Sequence, residues 1–279
     1  MNFNRRQWIQ AIGMGGLAGC FAGCRFAPTS GRPQWVFMTE RQEIALGSEA
    51  YHQLTQQFKA SQNLPLVQLL NRVGKKIAVQ TERTDFDWEF NLLASQAEMA
   101  VCFPGGKVAV SEGVLPRCQN EAELAALLSH EVGHAMARHG CERLGADLVL
   151  RAPKEQMESW LGNAHQTRTD QMLAAYGMAN GEMPNVPYSS AQEKEADELG
   201  IRLMARSGYD PNVAAEFWQR LNATDESTLS CLSMIHPCDE RRELEMLASM
   251  GEAEQEYADC KEKVGRGQAI VMSDFNRSA

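Results

Sequence analysis

Two histidines four residues apart, with a glutamate directly after the first, are the residues of this sequence best suited to chemistry. His130 and His134 lie in LSHEVGHAMARHG, residues 128–140, and Glu131 follows His130. On an α-helix, residues four apart share one face at about 5–6 Å between Cβ atoms, so both imidazoles can converge on one cation. Glu131 points about 100° around the helix and would therefore stand beside that cation rather than on it.

This His-Glu-x-x-His pattern is typical of a zinc site in which the glutamate acts as a general base. Zinc accepts neutral imidazole nitrogen at about 2.0–2.1 Å, and a catalytic zinc usually has three protein ligands and one open position. A surface helix that happens to be rich in histidine is the alternative. We therefore expect one Zn²⁺ per chain, held by His130, His134 and a third side chain.

The histidine that follows the motif is not expected to supply this third ligand. His139 is five residues after His134, which places it on the opposite side of a continuous helix. The longer pattern His-Glu-x-x-His-x-x-Gly-x-x-His also fails, because Ala137 and Gly140 stand at its glycine and last histidine positions. We expect His139 to support a ligand or the fold rather than to bind metal.

A second acidic stretch, SSAQEKEADELGIRLMARSGYDP at residues 189–211, offers a carboxylate ligand. Glu193 and Asp197 are four apart and share one face of a predicted helix. One of them can bind zinc while the other accepts the ring N–H of a ligating histidine, which fixes the histidine tautomer. Spacing alone leaves the role of Glu193 open, and we expect Glu195 and Glu198 to be solvated.

The motif pair HEVGHAMARH and EKEADELG resembles the zinc metallopeptidases that include the CAAX prenyl endopeptidase, HtpX and the Oma and BepA/LoiP proteases. The resemblance covers roughly residues 38–247 of the chain. In that family two histidines and a glutamate four residues before the aspartate of an Ala-Asp pair hold zinc. The resemblance therefore implies that His130, His134 and Glu193 are the ligands.

The same resemblance assigns two further elements. IHPCDERRELEML matches the family's His-Pro-x4-Arg element and implies site roles for His236 and Arg242. His236 would approach the metal or the substrate, or else simply stabilise a turn. Arg242 would pair with a nearby carboxylate or stabilise a developing oxyanion.

FPGGKVAVSEGVL resembles the family's Gly-Gly strand and turn before the active-site helix. We expect an edge strand there, to which an extended peptide pairs by backbone hydrogen bonds, with an ordinary core strand as the alternative. The residues of this substrate strand are Gly105, Gly106, Lys107, Val108 and Ala109.

Periodicity and turn residues predict the elements that must position these groups. Apolar residues recur at helical spacing from Asn120, a predicted N-cap, to Gly140, a predicted C-terminal stop. We expect strands at FDWEFNLL and KVAVS and helices near 39–60, 64–80, 191–207, 211–222 and 238–263. The region at 141–187, which runs into the Gly/Pro/Asn loop MANGEMPNVPYSS, separates the metal ligands in sequence and is expected to cover the cleft. The predicted fold is α+β and mainly helical, of the zincin type, with a small β-sheet and the motif on an active-site helix.

The first residues are typical of an export signal followed by a lipid attachment site. Arg5 and Arg6 precede an apolar stretch of about 12 residues, too short to span a membrane as a helix. This predicts a signal peptide over residues 1–19, of the Sec or the twin-arginine type. LAGC, residues 17–20, resembles a bacterial lipobox, which predicts lipidation at Cys20 unless that cysteine is incidental.

The remaining chain is expected to divide into three parts, of which the linker follows from its Pro, Ser, Gly and Arg residues and the domain from the resemblance. We expect a lipidated N-terminus and linker at 20–37, a zinc metallopeptidase domain at 38–265 and a flexible tail at 266–279. The net charge of −9 argues against nucleic-acid binding. Eight scattered cysteines without a Cys-x-x-Cys pair allow either disulfides after export or free buried thiols.

These observations predict a zinc metalloendopeptidase on the periplasmic side of the bacterial envelope, anchored to the outer membrane by its lipid. Its expected substrates are misfolded or unassembled envelope proteins. The alternatives are a structural zinc protein and a catalytically quiet zinc lipoprotein that acts as a chaperone or adaptor in outer-membrane protein assembly. The presence of Glu131 beside both histidines favours the enzyme.

Overall fold

The helices and strands of this chain are described from a computed structural model that covers residues 24–150, 165–176, 187–222, 232, 235–237 and 240–271. The helices are α1 (Glu40–Gln57), α2 (Leu64–Gln80), α3 (Glu121–Met136), α4 (His139–Leu150), α5 (His165–Ala175), α6 (Ser190–Arg206), α7 (Asn212–Asn222), α8 (Glu240–Ala248) and α9 (Met250–Asp259). The strands are β1 (Cys24–Phe26), β2 (Pro33–Trp35), β3 (Glu89–Leu93), β4 (Ala100–Phe103) and β5 (Lys107–Ser111). The expected mainly helical α+β class is confirmed.

The predicted signal peptide at 1–19, the predicted lipidation site Cys20 and residues 178–186 of the predicted Gly/Pro/Asn loop lie outside the described residues. Among the described residues, no helix is both long and apolar enough to cross a membrane. Four cysteines of the described residues are free thiols. Cys102, Cys118 and Cys141 are buried, and Cys260 is partly exposed.

A three-stranded sheet lies between two helical layers, in the order β3-β5-β4. Alternate residues of β5 face opposite layers, because Val108 and Val110 join the core around α2, α3 and α6, whereas Ala109 joins the core around α1, α4 and α5. Every residue of β5 is therefore buried. β3 and β4 are the outer strands, and β4 is an element that the sequence analysis missed.

The expectation that residues 105–109 form an edge strand is wrong. β5 pairs in parallel with β3 and antiparallel with β4, so both of its hydrogen-bonding edges are occupied. Gly105 and Gly106 instead form the turn between β4 and β5, with φ of +89° and +81°, which glycine adopts without steric cost. A substrate peptide cannot pair with Lys107–Ala109 unless the sheet comes apart.

The motif helix α3 begins as predicted but ends earlier. Its N-cap is Asn120, whose side chain accepts a hydrogen bond from the Glu123 amide at 3.1 Å. The helix ends at Met136 rather than Gly140, because Arg138 adopts a left-handed conformation at φ +62°. Glu43 of α1 holds Arg138 there, because both of its carboxylate oxygens share the Nε–H of Arg138, at 3.0 and 2.9 Å. The chain reverses at this point, and α4 begins immediately at His139.

Two segments predicted to lie outside the domain at 38–265 are packed against it. Residues 24–35 of the expected linker form an antiparallel hairpin, and Gln34 is buried and donates to the Ala137 carbonyl at 2.7 Å. In the expected tail, Ile270 is buried and its amide donates to the Gln119 carbonyl at 2.9 Å. The expected helix at 238–263 is also two helices, α8 and α9, which meet at Ser249.

A candidate metal centre

Four side chains from three parts of the chain converge on one buried point. α3 supplies His130 and His134, α6 supplies Glu193, and the turn before α8 supplies His236. One potential ligand atom from each lies within 4.8 Å of all the others, and every one of these residues is at most 2% exposed. The structure thus brings together the two histidines and the carboxylate that the sequence analysis proposed as ligands.

The distances between these atoms fit a tetrahedral cation. The Nε2 atoms of His130 and His134 are 3.0 Å apart, and they lie 3.4 and 3.3 Å from the carboxylate oxygens of Glu193. A tetrahedral zinc with bonds of 2.0–2.1 Å would separate its ligands by about 3.3–3.4 Å. The two Nδ1 atoms are occupied by other partners, so the Nε2 lone pairs point at the shared centre. The residues present therefore fit zinc.

Asp197 fixes the orientation of the first histidine. Its Oδ1 is 2.8 Å from Nδ1 of His130, the position that a carboxylate supporting a metal-bound histidine takes. Arg242 in turn donates to both oxygens of Asp197, at 2.7 and 2.9 Å, and its Nη1 lies 2.5 Å from Glu193. Of the two roles considered for Arg242, the structure favours pairing with carboxylates, because its guanidinium is engaged by both.

The carboxyl groups of Glu131 and Glu193 have opposite pKa shifts. Burial raises the pKa of Glu131, and the nearby positive charges offset this only in part. Burial acts on Glu193 in the same direction, but Arg242, His236 and His130 outweigh it and hold the Glu193 pKa well below its usual range. Glu193 is therefore suited to bind a cation, whereas Glu131 is suited to accept a proton.

His236 lies at the fourth corner of the cluster. Its Nδ1 is 3.0 Å from Nε2 of His130 and 3.1 Å from Glu193, while its Nε2 is 3.2 Å from Glu131. The turn that carries it is held to the start of α6, because the Tyr188 amide donates to the Ile235 carbonyl at 3.0 Å. The turn and Tyr188 together cover the centre.

Tyr188 is a site residue that the sequence analysis missed. Its ring stacks on His134 with centroids 3.9 Å apart and an interplanar angle of 23°. Its position just before Ser189, the N-cap of α6, was the available signal, since the cap fixes where Tyr188 enters the site. Trp218 of α7 similarly packs on His130, with centroids 4.7 Å apart.

His139 lies beside His134 rather than across the helix from it, because α3 ends before His139. The Nδ1 atoms of the two rings are 2.8 Å apart, and His139 Nε2 is 2.9 Å from Glu195. The expectation that Glu195 is solvated is wrong, since it is 1% exposed. Glu198 is partly exposed and lies 3.9 Å from Lys194.

A helix that carries His-Glu-x-x-His, crossed by a second helix that supplies a carboxylate, defines a metallopeptidase domain of the zincin type. The model of the family described as Peptidase family M48 matches residues 66–249. The chain belongs to this family, and it is a metalloprotease by that membership.

Curated relatives of two kinds are similar to this chain. It is 28% identical over 264 residues to the mitochondrial metalloendopeptidase OMA1 of Schizosaccharomyces pombe, which covers 92% of this chain and 76% of the relative. It is 27% identical over 275 residues to OMA1 of Saccharomyces cerevisiae, covering 88% and 77%. It is 25% identical over 248 residues to the beta-barrel assembly-enhancing protease of Escherichia coli K12, covering 84% of this chain and only 49% of that relative.

Proposed function

We propose that this protein is a zinc-dependent endopeptidase of the bacterial cell envelope that cleaves misfolded or unassembled envelope proteins. The observation that carries the proposal is the convergence of His130, His134 and Glu193 beside the buried Glu131. Similarity to beta-barrel assembly-enhancing proteases of Escherichia coli and Yersinia pestis supports the envelope as the site of action. The lipobox-like sequence at Cys20 supports an anchor at the outer membrane, facing the periplasm.

The chain's own residues divide the work of hydrolysis. Zinc, when held by His130, His134 and Glu193, lowers the pKa of water and polarises the scissile carbonyl. Glu131 takes the proton from the attacking water and returns it to the leaving amine, and its raised pKa suits both transfers. Asp197 keeps the ring of His130 oriented with its Nε2 toward the metal.

The buried centre is closed in this structure, so a substrate peptide must displace part of its cover. We propose that His236 occupies the open zinc position in the resting protein and leaves it when substrate binds. Its Nδ1 lies 3.0 Å from the ligand atom of His130 and 3.1 Å from that of Glu193, which supports this role. In that case, displacement of the turn at 235–237 is the gating step. The alternative is that His236 donates a hydrogen bond to the tetrahedral intermediate.

A test of the proposed function combines metal content with peptide hydrolysis. We expect purified protein to hold about one zinc per chain and to cleave an unfolded model protein. A chelator should abolish cleavage, and added Zn²⁺ should restore it. Protein that holds no zinc, or that cleaves equally well without it, would refute the proposal.

One observation favours a second function. A centre closed by His236 is also what a catalytically quiet zinc lipoprotein, acting as a chaperone or adaptor, would have. The two functions separate when the cover is removed. If the parent and His236→Ala both retain zinc and neither cleaves unfolded protein, the chaperone or adaptor function is the better account. Loss of cleavage in His236→Ala alone would instead assign His236 to the transition state.

A further inference from the structure

The hairpin of β1 and β2 reaches the metal centre through Arg32. Its Nε and Nη2 donate to the two oxygens of Glu195, both at 3.0 Å, and Nη2 also donates to Glu142 at 2.9 Å. Glu195 lies on α6 and Glu142 on α4, and their side chains are only 1% and 9% exposed. One arginine from the N-terminal hairpin thus pairs with two buried carboxylates on different helices.

Glu195 continues this chain of contacts to a metal ligand. It lies 2.9 Å from Nε2 of His139, whose Nδ1 lies 2.8 Å from Nδ1 of His134. If His134 binds metal through Nε2, its Nδ1 carries the proton and donates it to His139. The proton of His139 is then on Nε2, where it is donated to Glu195. Every hydrogen bond in this chain therefore has one donor and one acceptor.

Loss of Arg32 would weaken this series of hydrogen bonds at the end farthest from the metal ligand His134. Removal of one partner from a buried ion pair leaves an uncompensated charge, which is strongly destabilising. Here Glu195 and Glu142 would lose their common cation. Ser30 would still donate to Glu195, and Gln34 and Gln192 would still donate to Glu142 at 3.2 and 3.1 Å. These donors are neutral, so the charge of Glu195 would favour a shift toward solvent that releases His139.

We propose that Arg32 is a positioning residue for the metal centre, acting through Glu195 and His139 on the orientation of His134. The inference rests on zinc binding by the proposed ligands. It assigns the N-terminal hairpin, whose composition is that of a linker, a part in completing the site.

The zinc dissociation constant of full-length mature protein, measured by competition with a chelator, tests this role. We expect Arg32→Ala to weaken zinc binding about tenfold, the lower end of the effect of such supporting partners. The zinc dissociation constant of Arg32→Lys should lie between those of the parent and Arg32→Ala, because lysine keeps the charge but lacks the bidentate guanidinium. The control is Arg25→Ala, which removes an exposed arginine from the same hairpin and should leave the constant unchanged.

A double-mutant cycle separates positioning from general destabilisation. Glu195→Gln should weaken zinc binding by about 10–100-fold, and Arg32→Ala should add almost nothing in that background. Additive losses, or an Arg32→Ala constant within twofold of the parent, would overturn the inference. If Arg32→Ala does not fold, Arg32→Lys is tested in its place. A parent that binds no zinc would instead refute the proposed function.

The outward face of the same hairpin carries exposed aromatic side chains. Phe26, Trp35 and Phe37 are 67%, 55% and 45% exposed. Phe26 pairs opposite Pro33, and Pro33 is two residues before Trp35. The side chains of Phe26 and Trp35 therefore lie on one face of the hairpin. Gln34 and Val36 point inward and are buried. The aromatic face therefore belongs to a hairpin whose alternate residues are buried, and it is not a loose end of the chain.

The position of this face along the chain indicates what covers it. Phe26 is six residues after Cys20, and six extended residues reach about 20 Å. A lipid on Cys20 would hold the aromatic face within that distance of the bilayer. Aromatic rings, tryptophan above all, favour the boundary between headgroups and acyl chains. We infer that Phe26, Trp35 and Phe37 seat the protein on the membrane surface, an inference that rests on the proposed anchor.

Flotation of unlipidated Cys20→Ser protein with phosphatidylcholine vesicles tests whether the aromatic face binds the membrane. The lipid is zwitterionic, so it does not repel the acidic protein. We expect measurable binding that falls several-fold in Trp35→Ser and Phe37→Ser. Leu244→Ser, a change at a side chain 68% exposed elsewhere, should not alter it. Absence of binding, or equal loss in the control, would overturn the inference. The mass of the acyl group on wild-type Cys20 reports separately on the anchor.

Discussion

His236 is the residue whose substitution tells most about regulation. In a self-inhibited resting state, His236→Ala should raise peptidase activity, because a zinc bound by the other three ligands would then be accessible to water. Zinc content should stay near one per chain, since three ligands remain. Kinetics on one peptide beside a zinc measurement would check this. A fall of on the order of 10²-fold with zinc retained would show instead that His236 supports the transition state.

The side chains that do the chemistry differ in how far the sequence reveals them. His130, Glu131 and His134 follow from spacing, because four residues on a helix bring two imidazoles to one face. Glu193 needed the family resemblance, since spacing did not distinguish it from its acidic neighbours. Glu195 was misjudged because its partners, Arg32 and His139, are 163 and 56 residues away along the chain. Local composition carries no record of such contacts.

At the scale of elements, the site depends on the close crossing of α3 and α6. A methyl group on Gly133 would lie 2.5 Å from the carbonyl oxygen of Ala196, and one on Gly200 would lie 3.1 Å from the amide nitrogen of His130. Small residues on both helices thus set the separation between the histidines and Glu193. The sequence predicted both helices but not this crossing, because the contacts join positions more than sixty residues apart.

Gly133→Ala should therefore separate the helices and loosen the ligand set. We expect a loss of about 1–3 kcal/mol in the free energy of unfolding, typical of overpacking, together with weaker zinc binding. Gly251→Ala is the matched control, because Gly251 lies in α9 with open space around it. It should be neutral or stabilising by up to about 1 kcal/mol. Equal stability and zinc affinity in the two variants would contradict the role of the crossing.

The start of α3 is tied to three other parts of the chain through Glu121. It accepts hydrogen bonds from Arg72 of α2, from the Tyr209 hydroxyl at 2.8 Å and from the Gln268 amide at 3.2 Å. Burial acts to raise the pKa of Glu121, but these donors outweigh it and lower the pKa. A carboxyl whose pKa is lowered on folding stabilises the protein above its unfolded pKa and ceases to do so as pH falls.

Glu121→Gln should therefore be destabilising at neutral pH, and its deficit relative to the parent should shrink as pH falls below the ordinary glutamate pKa of 4.5. Urea unfolding of both proteins at several pH values measures this difference. A deficit that stays constant down to low pH would show that the charge of Glu121 does not contribute.

At the scale of the whole molecule, the sequence predicted the fold class, while segments on both sides of the expected domain pack against it. The expected boundaries at 38 and 265 exclude Arg32 and Ile270, both of which contact the core or the site. The composition of these segments suggested a linker and a tail. Composition does not reveal that a short segment pairs with a distant part of the chain. The break of α3 at Arg138 was missed for the same reason, since Glu43 compensates a conformation that arginine rarely adopts.

The proposed anchor makes a prediction about where the molecule resides. Cys20→Ser should move the protein from the membrane to the soluble periplasmic fraction, because an aromatic face alone binds reversibly whereas acyl chains retain the protein. Fractionation of cells that express each form would measure this. Unchanged fractionation, together with no acyl mass on the wild type, would contradict lipidation at Cys20.

In the proposed mechanism, Glu131 acts as the general base beside a zinc held by His130, His134 and Glu193. Zinc content and peptide hydrolysis, measured together on the parent and on Glu131→Gln, test this role. We predict that Glu131→Gln binds zinc as the parent does and loses activity by about 10²–10⁴-fold, the usual contribution of a positioned proton acceptor. If Glu131→Gln, with its zinc retained, cleaves the peptide as fast as the parent, the claim is wrong.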